Sequence, residues 1–337
     1  MSQQPNPLHS PVIRSFVLDN GKVVGEDMDL DALRLVISDK GLLVWVDLEN
    51  PTPEENRKVL EEMFHFHPLA IEDCVQVSSL PKVDDYEEYL FLVMHGVSYN
   101  RRHQFDALEL NLFIGRDFLV TYHTEPMASI DLTRERCRKQ AMVFARASDR
   151  LAHVLLDALV GYYNQVLDNL AVELQGIEDS ILEENNENGM AGFMQAKKEL
   201  STLHRTIQPQ REVIGRLARG EFKIIRHVML PYYRDIYDQL TKIDEAVNAY
   251  KEQLFLSMDI YLNKVANKTN DIIRVLTVLT AFTMPVMIIG TWYGMNFPNM
   301  PEISDPEWSR YSYLCALGLM IVSTAAIVIW FKRKKYL

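Results

Sequence analysis

The sequence predicts an α+β membrane protein: an N-terminal α/β domain, then a long helical stalk, then two transmembrane helices near the C-terminal end. Three observations carry this reading. Two apolar runs, Val275 to Tyr293 and Tyr311 to Phe331, hold 19 and 21 residues with no Asp, Glu, Lys or Arg. Short β-rich runs are confined to the first part of the chain. Between these regions Leu, Glu, Lys, Arg and Gln recur at helical spacing.

The first region, residues 1–130, begins with the polar, proline-containing segment Met1 to Pro11, which lacks the basic start and apolar stretch of a cleaved signal, so none is expected. Ile13 to Leu18, Leu42 to Asp47, Tyr89 to Val97 and Asn111 to Tyr122 read as β-rich runs. A helix is expected from Thr52 to Phe64, with Thr52 as N-cap, Pro53 at the first position, and Glu54 and Glu55 in the first turn. His65 and His67 could be metal ligands, but a capping or packing role ahead of Pro68 is the stronger reading.

The second region, residues 131–270, is helical, with interruptions at Asn185 to Gly192, Gly220 and Pro231. The Asn- and Gly-rich interruption turns one long helix back into an antiparallel partner. After Pro231 neither Pro nor Gly occurs until Pro285. A helix starting near Pro231 therefore runs about 60 residues, roughly 90 Å, into the third region.

That third region, residues 271–337, contains the two spans, about 275–293 and 311–331. At 1.5 Å per residue they are roughly 28 to 32 Å long, the thickness of a bilayer's hydrocarbon core. Lys264, Lys268 and Arg274 precede the first span and Lys332 to Lys335 follow the second, whereas the linker has Arg310 against Glu302, Asp305 and Glu307. By the positive-inside rule both termini are cytoplasmic and the linker faces outward.

Composition narrows the function. A net charge of −11 argues against a nucleic-acid partner and suits cation handling. Cys74, Cys137 and Cys315 are too scattered for a disulfide framework or a zinc knuckle. No phosphate-cradling glycine loop, Walker motif or nucleophile-base pattern suggests an enzyme, so transport is expected to be passive.

Two helices cannot enclose a water-filled path, so a pore needs several subunits around an axis. Asp259, Asn263, Ala266, Asn270, Ile273, Thr277, Thr280, Met284, Met287 and Thr291 recur at steps of three and four, with Leu276 beside them. Polar residues on such a seam are tolerable either on a wet axis or as small packing residues between helices in lipid. After the first span comes Gly294-Met295-Asn296. A glycine there permits a sharp turn that leaves carbonyls and the Asn296 amide at the outer mouth, while Glu302, Asp305 and Glu307 concentrate cations. Neutral oxygens suit a hydrated divalent ion held through its water shell.

Asn267-Lys268-Thr269-Asn270, Tyr293-Gly294-Met295-Asn296-Phe297, Met300-Pro301-Glu302 and the terminal Lys332-Arg333-Lys334-Lys335-Tyr336-Leu337 resemble the CorA family of magnesium and cobalt channels. The similarity extends upstream to His67 to Asp73, Pro81-Lys82-Val83 and Pro231 to Tyr237. The resemblance implies a funnel-shaped homopentamer in the inner (plasma) membrane, passing Mg²⁺ and Co²⁺, with Ni²⁺ as a further candidate ion, and with Asn296 as the signature residue binding the arriving hydrated ion. It assigns Asn270, Ile273, Leu276, Thr280, Met284, Met287 and Thr291 to the pore, Leu276 and Met284 to hydrophobic constrictions, and Asp259 to a carboxylate ring. It maps the ligands of regulatory Mg²⁺ between subunits onto Glu72, Asp73, Asp157 and Asp235. Thr291 and Trp292 depart from the Gly and small apolar residue of many members, which bears on selectivity. A zinc-transporting relative of the same fold is the nearest competitor, although its loop after the signature is glycine-rich, unlike Phe297 to Glu302. A non-conducting, membrane-anchored coiled-coil sensor is the alternative from another class.

Overall fold

The computed structural model describes residues 12–37, 41–76, 80–99, 105–144, 147–182, 189–295 and 309–334. The chain divides into two compact units, Met1–Ser257 and Met258–Leu337.

The first unit is built on a mixed seven-stranded sheet. Its strands are β1 (Val12–Asp19), β2 (Lys22–Glu26), β3 (Leu43–Glu49), β4 (Lys82–Asp85), β5 (Tyr89–Tyr99), β6 (Phe105–Gly115) and β7 (Phe118–His123), in the order β2-β1-β3-β7-β6-β5-β4. Only β3 and β7 pair in parallel, Val44 opposite Phe118 through Glu49 opposite His123. Every residue of β3 is buried because helices cover both faces, which is why its Leu43–Val46 stretch reads as a continuous apolar run rather than an alternation. The run Asn111 to Tyr122 is two strands, parted at Arg116-Asp117 by the turn between β6 and β7. The short edge strands β2 and β4 carry charged side chains that discourage pairing with other chains. Between β1 and β2 the chain turns through Asn20 and Gly21, with φ of 47° and 79°, the two-residue hairpin that suits the strands' twist.

On one face, α1 (Leu30–Ile37), α2 (Pro53–Asn56), a π-helical segment (Arg57–Met63) and α3 (Pro68–Val75) close a core containing Val44, Val46, Leu48, Phe91 and Phe113. Thr52 and Glu55 form the expected capping box: Thr52 Oγ1 accepts from the Glu55 amide while the Glu55 carboxylate accepts from the Thr52 amide. The helix then widens, the Phe64 amide reaching back to the Val59 carbonyl, so that Val59, Leu60, Met63 and Phe64 all pack against the sheet. His67 caps α3, its Nδ1 accepting from the Leu69 amide, and its ring lies over Tyr86.

The other face carries α4 (Ala128–Phe144), α5 (Ser148–Leu182) and α6 (Gly189–Ala218). Gly192 lies inside α6 rather than in the preceding interruption, and its Cα faces Ile177 of α5 closely enough that an added Cβ would sit 3.3 Å from that side chain. A hydrogen-bonded ring joins β5, α5 and α6: the His95 amide donates to Gln210 Oε1 at 3.1 Å, Gln210 Nε2 donates to Tyr163 Oη at 2.8 Å, and that hydroxyl donates to the His95 carbonyl at 2.8 Å. After a 3₁₀ turn (His227–Met229), α7 (Leu230–Tyr293) runs 64 residues without a break, Pro285 included. Tyr233, Ile236, Leu240, Ile243 and Val247 bury its first half at steps of three and four.

Asp149, with a side chain 2% exposed, holds this corner together. It accepts from Arg226 Nη2 at 2.6 Å, Arg226 Nε at 2.8 Å and the Arg226 amide at 3.1 Å. Arg226→Gln is expected to lower stability by about 2 kcal/mol, less than a fully buried pair because Arg226 is half-exposed and water can take its place. Urea unfolding of the detergent-solubilised protein is the check.

The second unit contains the C-terminal part of α7 and the helix α8 (Ser309–Arg333). Both are long and apolar enough to cross a membrane. The helices run antiparallel, Phe282 meeting Phe331 and Gly290 lying opposite the Met320 methyl.

Candidate functional site

In the apolar part of α7, from Val275 onward, Val278, Ala281, Phe282, Pro285 and Ile289 are the less exposed positions, and their spacing marks the stripe against α8. Ile273, Leu276, Thr280, Met284, Met287 and Thr291 point elsewhere and are exposed in the single chain, as are Asp259 and Asn270. Leu276, Thr280, Met287 and Thr291 each sit two residues from a member of the covered stripe, about 200° around the helix. The expected pore stripe is thus free of the chain's own second span.

The threonine hydroxyls on this face are already spent as donors. Thr280 Oγ1 donates to the Leu276 carbonyl at 2.8 Å, Thr291 Oγ1 to the Met287 carbonyl at 2.6 Å and Thr277 Oγ1 to the Ile273 carbonyl at 2.7 Å. Each oxygen then offers only lone pairs outward. The waters around a cation point their oxygens at the ion and their hydrogens away, so a wall of acceptors matches a hydrated cation.

Gly294 does not serve as expected. Its φ is not in the left-handed region, and its amide continues the helical pattern to the Gly290 carbonyl at 3.0 Å. A Cβ at this position would stand 3.1 Å from that carbonyl, a tight approach within the last turn of α7 itself. Met295 follows, its amide reaching the Trp292 carbonyl. Asn296 and Glu302 lie outside the described residues.

The four carboxylates expected to bind regulatory metal separate into two pairs. Asp157 on α5 and Asp235 on α7 converge on one amide: Gln239 Nε2 donates to Asp157 Oδ1 at 3.2 Å and to Asp235 Oδ2 at 3.0 Å. Two anionic oxygens directed at one point already occupied by a positive dipole fit a hard cation such as Mg²⁺. His153 lies against Tyr232 and Tyr233 beside them, and burial lowers its pKa despite the pull of Asp157 and Asp235. Glu72 and Asp73 sit on α3, where Glu72 accepts from Gln76 Nε2 and Asp73 is paired with Lys82. Among the described residues no hydrogen bond or ion pair links the two pairs, and no three His, Cys, Asp or Glu residues come together as a metal site. Sequence reasoning missed Gln239 and Lys82, since nothing local marks either as the partner of a distant carboxylate.

The family model described as CorA-like Mg²⁺ transporter protein matches residues 40–333. The chain is 30% identical over 305 residues to the cobalt/magnesium transport protein CorA of Thermotoga maritima, covering 90% of this chain and 86% of that one. It is 31% identical to the putative metal ion transporter YfjQ of Bacillus subtilis, over 86% and 88% of the two chains. The fold matches the CorA magnesium transporter from Methanocaldococcus jannaschii with a TM-score of 0.80 at 23% identity, over 96% of this chain and 98% of that one. The cytoplasmic domain of ZntB from Vibrio parahaemolyticus is matched at a TM-score of 0.58 and 18% identity, over 67% and 88%. From the sheet through both apolar helices, this chain belongs to the CorA-like Mg²⁺ transporter family.

Proposed function

We infer that this chain is one subunit of a passive Mg²⁺ and Co²⁺ channel that assembles as a homopentamer in the plasma membrane, with both termini in the cytoplasm. The observation that carries the reading is the family match from residue 40 to residue 333, which takes in strands β3 to β7, the stalk and both apolar helices. The acceptor-lined stripe on α7, uncovered by α8, supports it. In this reading α7 forms the inner wall and α8 the lipid-facing support. Asn296, with Gly294, Met295 and Glu302 near it, receives the hydrated ion at the outer mouth. Asn270, Ile273, Leu276, Thr280, Met284, Met287 and Thr291 line the path, and Asp259 forms an acidic ring at its inner end. The membrane potential alone supplies roughly 4.6 kcal/mol per divalent ion per 100 mV, so no coupled energy source is required.

Regulation belongs to the same proposal. Mg²⁺ bound by Glu72 and Asp73 of one subunit and Asp157 and Asp235 of the next holds the closed state when the ion is plentiful, and its loss loosens the assembly. The convergence of Asp157 and Asp235 on Gln239 supports half of that site.

Flux into proteoliposomes tests the transport reading. Mg²⁺ and Co²⁺ uptake is expected, and Asn296→Ala is expected to reduce it by about a hundredfold or more, the loss of a few kcal/mol of ion binding across a ring of subunits. Zn²⁺ uptake exceeding both would favour the zinc-transporting alternative. No flux from well-assembled protein would favour the sensor.

A further inference from the structure

Lys82 on β4 lies between two carboxylates. Its Nζ is 2.5 Å from Asp73 Oδ2 on α3 and 2.9 Å from Asp84 Oδ2, two residues along its own strand and therefore on the same face. The ammonium also sits 5.5 Å from the centre of the Phe91 ring, and all three charged side chains are partly exposed. The ammonium thus occupies an oxygen of Asp73, one of the two carboxylates on α3 that the regulatory reading needs for Mg²⁺. A dication approaching Asp73 Oδ2 meets a positive charge already in hydrogen-bond contact with it. It must displace that charge to bind.

We propose that Lys82 is a tethered competitor for the regulatory cation at Asp73, and that Asp84 is the second seat onto which it withdraws when the metal arrives. The proposal rests on the regulatory reading above and adds what sets its threshold. An ammonium has three donors, so Lys82 can keep Asp84 while releasing Asp73, and the release leaves no charge unpaired. Without Asp84 the ammonium would be bound to Asp73 alone. The two partners of Lys82 therefore have opposite effects on metal affinity. A purely structural ion-pair network predicts a different pattern, because only the Lys82–Asp73 pair ties α3 to β4: losing Lys82 would loosen that contact, and losing Asp84, on the same strand as Lys82, would leave it in place.

The test uses the full-length protein in lipid nanodiscs and reads the Mg²⁺ concentration that half-protects it from chymotrypsin, with the Mg²⁺ concentration that half-inhibits flux as a second readout. Lys82→Met keeps the aliphatic stem over Phe91 and removes the charge, and is expected to lower both midpoints about fivefold, the effect of one partly exposed charge pair. Asp84→Asn is expected to raise both. Asp73→Asn, which removes the ligand itself, is expected to abolish protection. If Asp73→Asn abolishes protection while Lys82→Met leaves the midpoint unchanged or raises it, competition by Lys82 is overturned and the regulatory reading survives. If Asp73→Asn leaves protection intact, the regulatory reading fails and takes this proposal with it. Should Lys82→Met not assemble, Asp84→Asn decides alone: an unchanged or lowered midpoint overturns the competition.

Discussion

Replacing Leu276 and Met284 together by Asn is expected to make proteoliposomes leak Mg²⁺ even with abundant Mg²⁺ on the cytoplasmic side. Both residues are exposed on α7, away from the stripe that α8 covers, and in the proposed assembly each is repeated around the axis. A narrow ring of thioethers and isobutyl groups cannot hydrogen-bond the waters of a passing ion, so in the closed state the passage dries and the ion would have to shed its shell. Magnesium gives up water reluctantly, which makes dewetting an effective barrier for this ion in particular. An amide ring supplies acceptors and keeps the passage wet. Leak is expected to rise roughly tenfold or more, since about 1.4 kcal/mol off the barrier is already a factor of ten. Val278→Asn, two residues and so about 200° around the helix from Leu276 and on the stripe that α8 covers, serves as the control and is expected to leave leak low. Equal leak from the control would mean that the variants disturb membrane packing rather than open a path.

How much of this was legible in the sequence depends on the range of the forces involved. The capping box at Thr52 and Glu55 is decided within four residues, and the sequence displays it directly. The continuity of α7 follows from the lack of Pro or Gly between Pro231 and Pro285, and the spans follow from length and absence of charge. Tertiary packing was less visible. The π-helical widening at Arg57–Met63 exists because adjacent Val59 and Leu60 both turn to the sheet, which helical periodicity does not foresee. The edge strands β2 and β4 were missed because their mixed polar character hides them from an apolar-run reading. The meeting of Asp157 with Asp235 through Gln239 spans some eighty residues and depends on how α5 and α7 lie together. On α7, spacing gave the stripe, but only the position of α8 could tell its two faces apart.

The same limit hid the buried charge pair at the centre of the sheet, whose loss should produce the largest stability effect in the first unit. Asp47, two residues before the end of β3, and His123, the last residue of β7, lie on adjacent parallel strands, their side chains 2% and 1% exposed. His123 Nε2 lies 3.2 Å from Asp47 Oδ1, and Nδ1 lies 2.6 Å from the Glu125 carbonyl. Both neighbours are acceptors, so only the doubly protonated ring satisfies both. Asp47 Oδ1 also accepts from Thr121 Oγ1 at 2.6 Å, and Thr121 in turn accepts from the Trp45 indole. Burial works against the charged ring, but the hydrogen bond to Asp47 and its charge, the Glu125 carbonyl and the charge of Glu49 outweigh it, and the pKa of His123 rises above 6.5. A base whose pKa is raised by folding contributes stability that is fully present below its unfolded value and is lost as pH climbs through its folded value. His123→Gln removes the positive partner and leaves a carboxylate buried beside it. Near pH 6 the variant is expected to be about 3 kcal/mol less stable than the wild type in urea-dependent pulse proteolysis, as for other broken buried pairs. As pH climbs through the folded-state value the gap is expected to narrow, because the wild-type ring itself loses its proton and with it the same interaction. A deficit that stays constant across that range would mean the imidazole contributes by packing and neutral hydrogen bonding, and that the pair is not ionic in the folded protein.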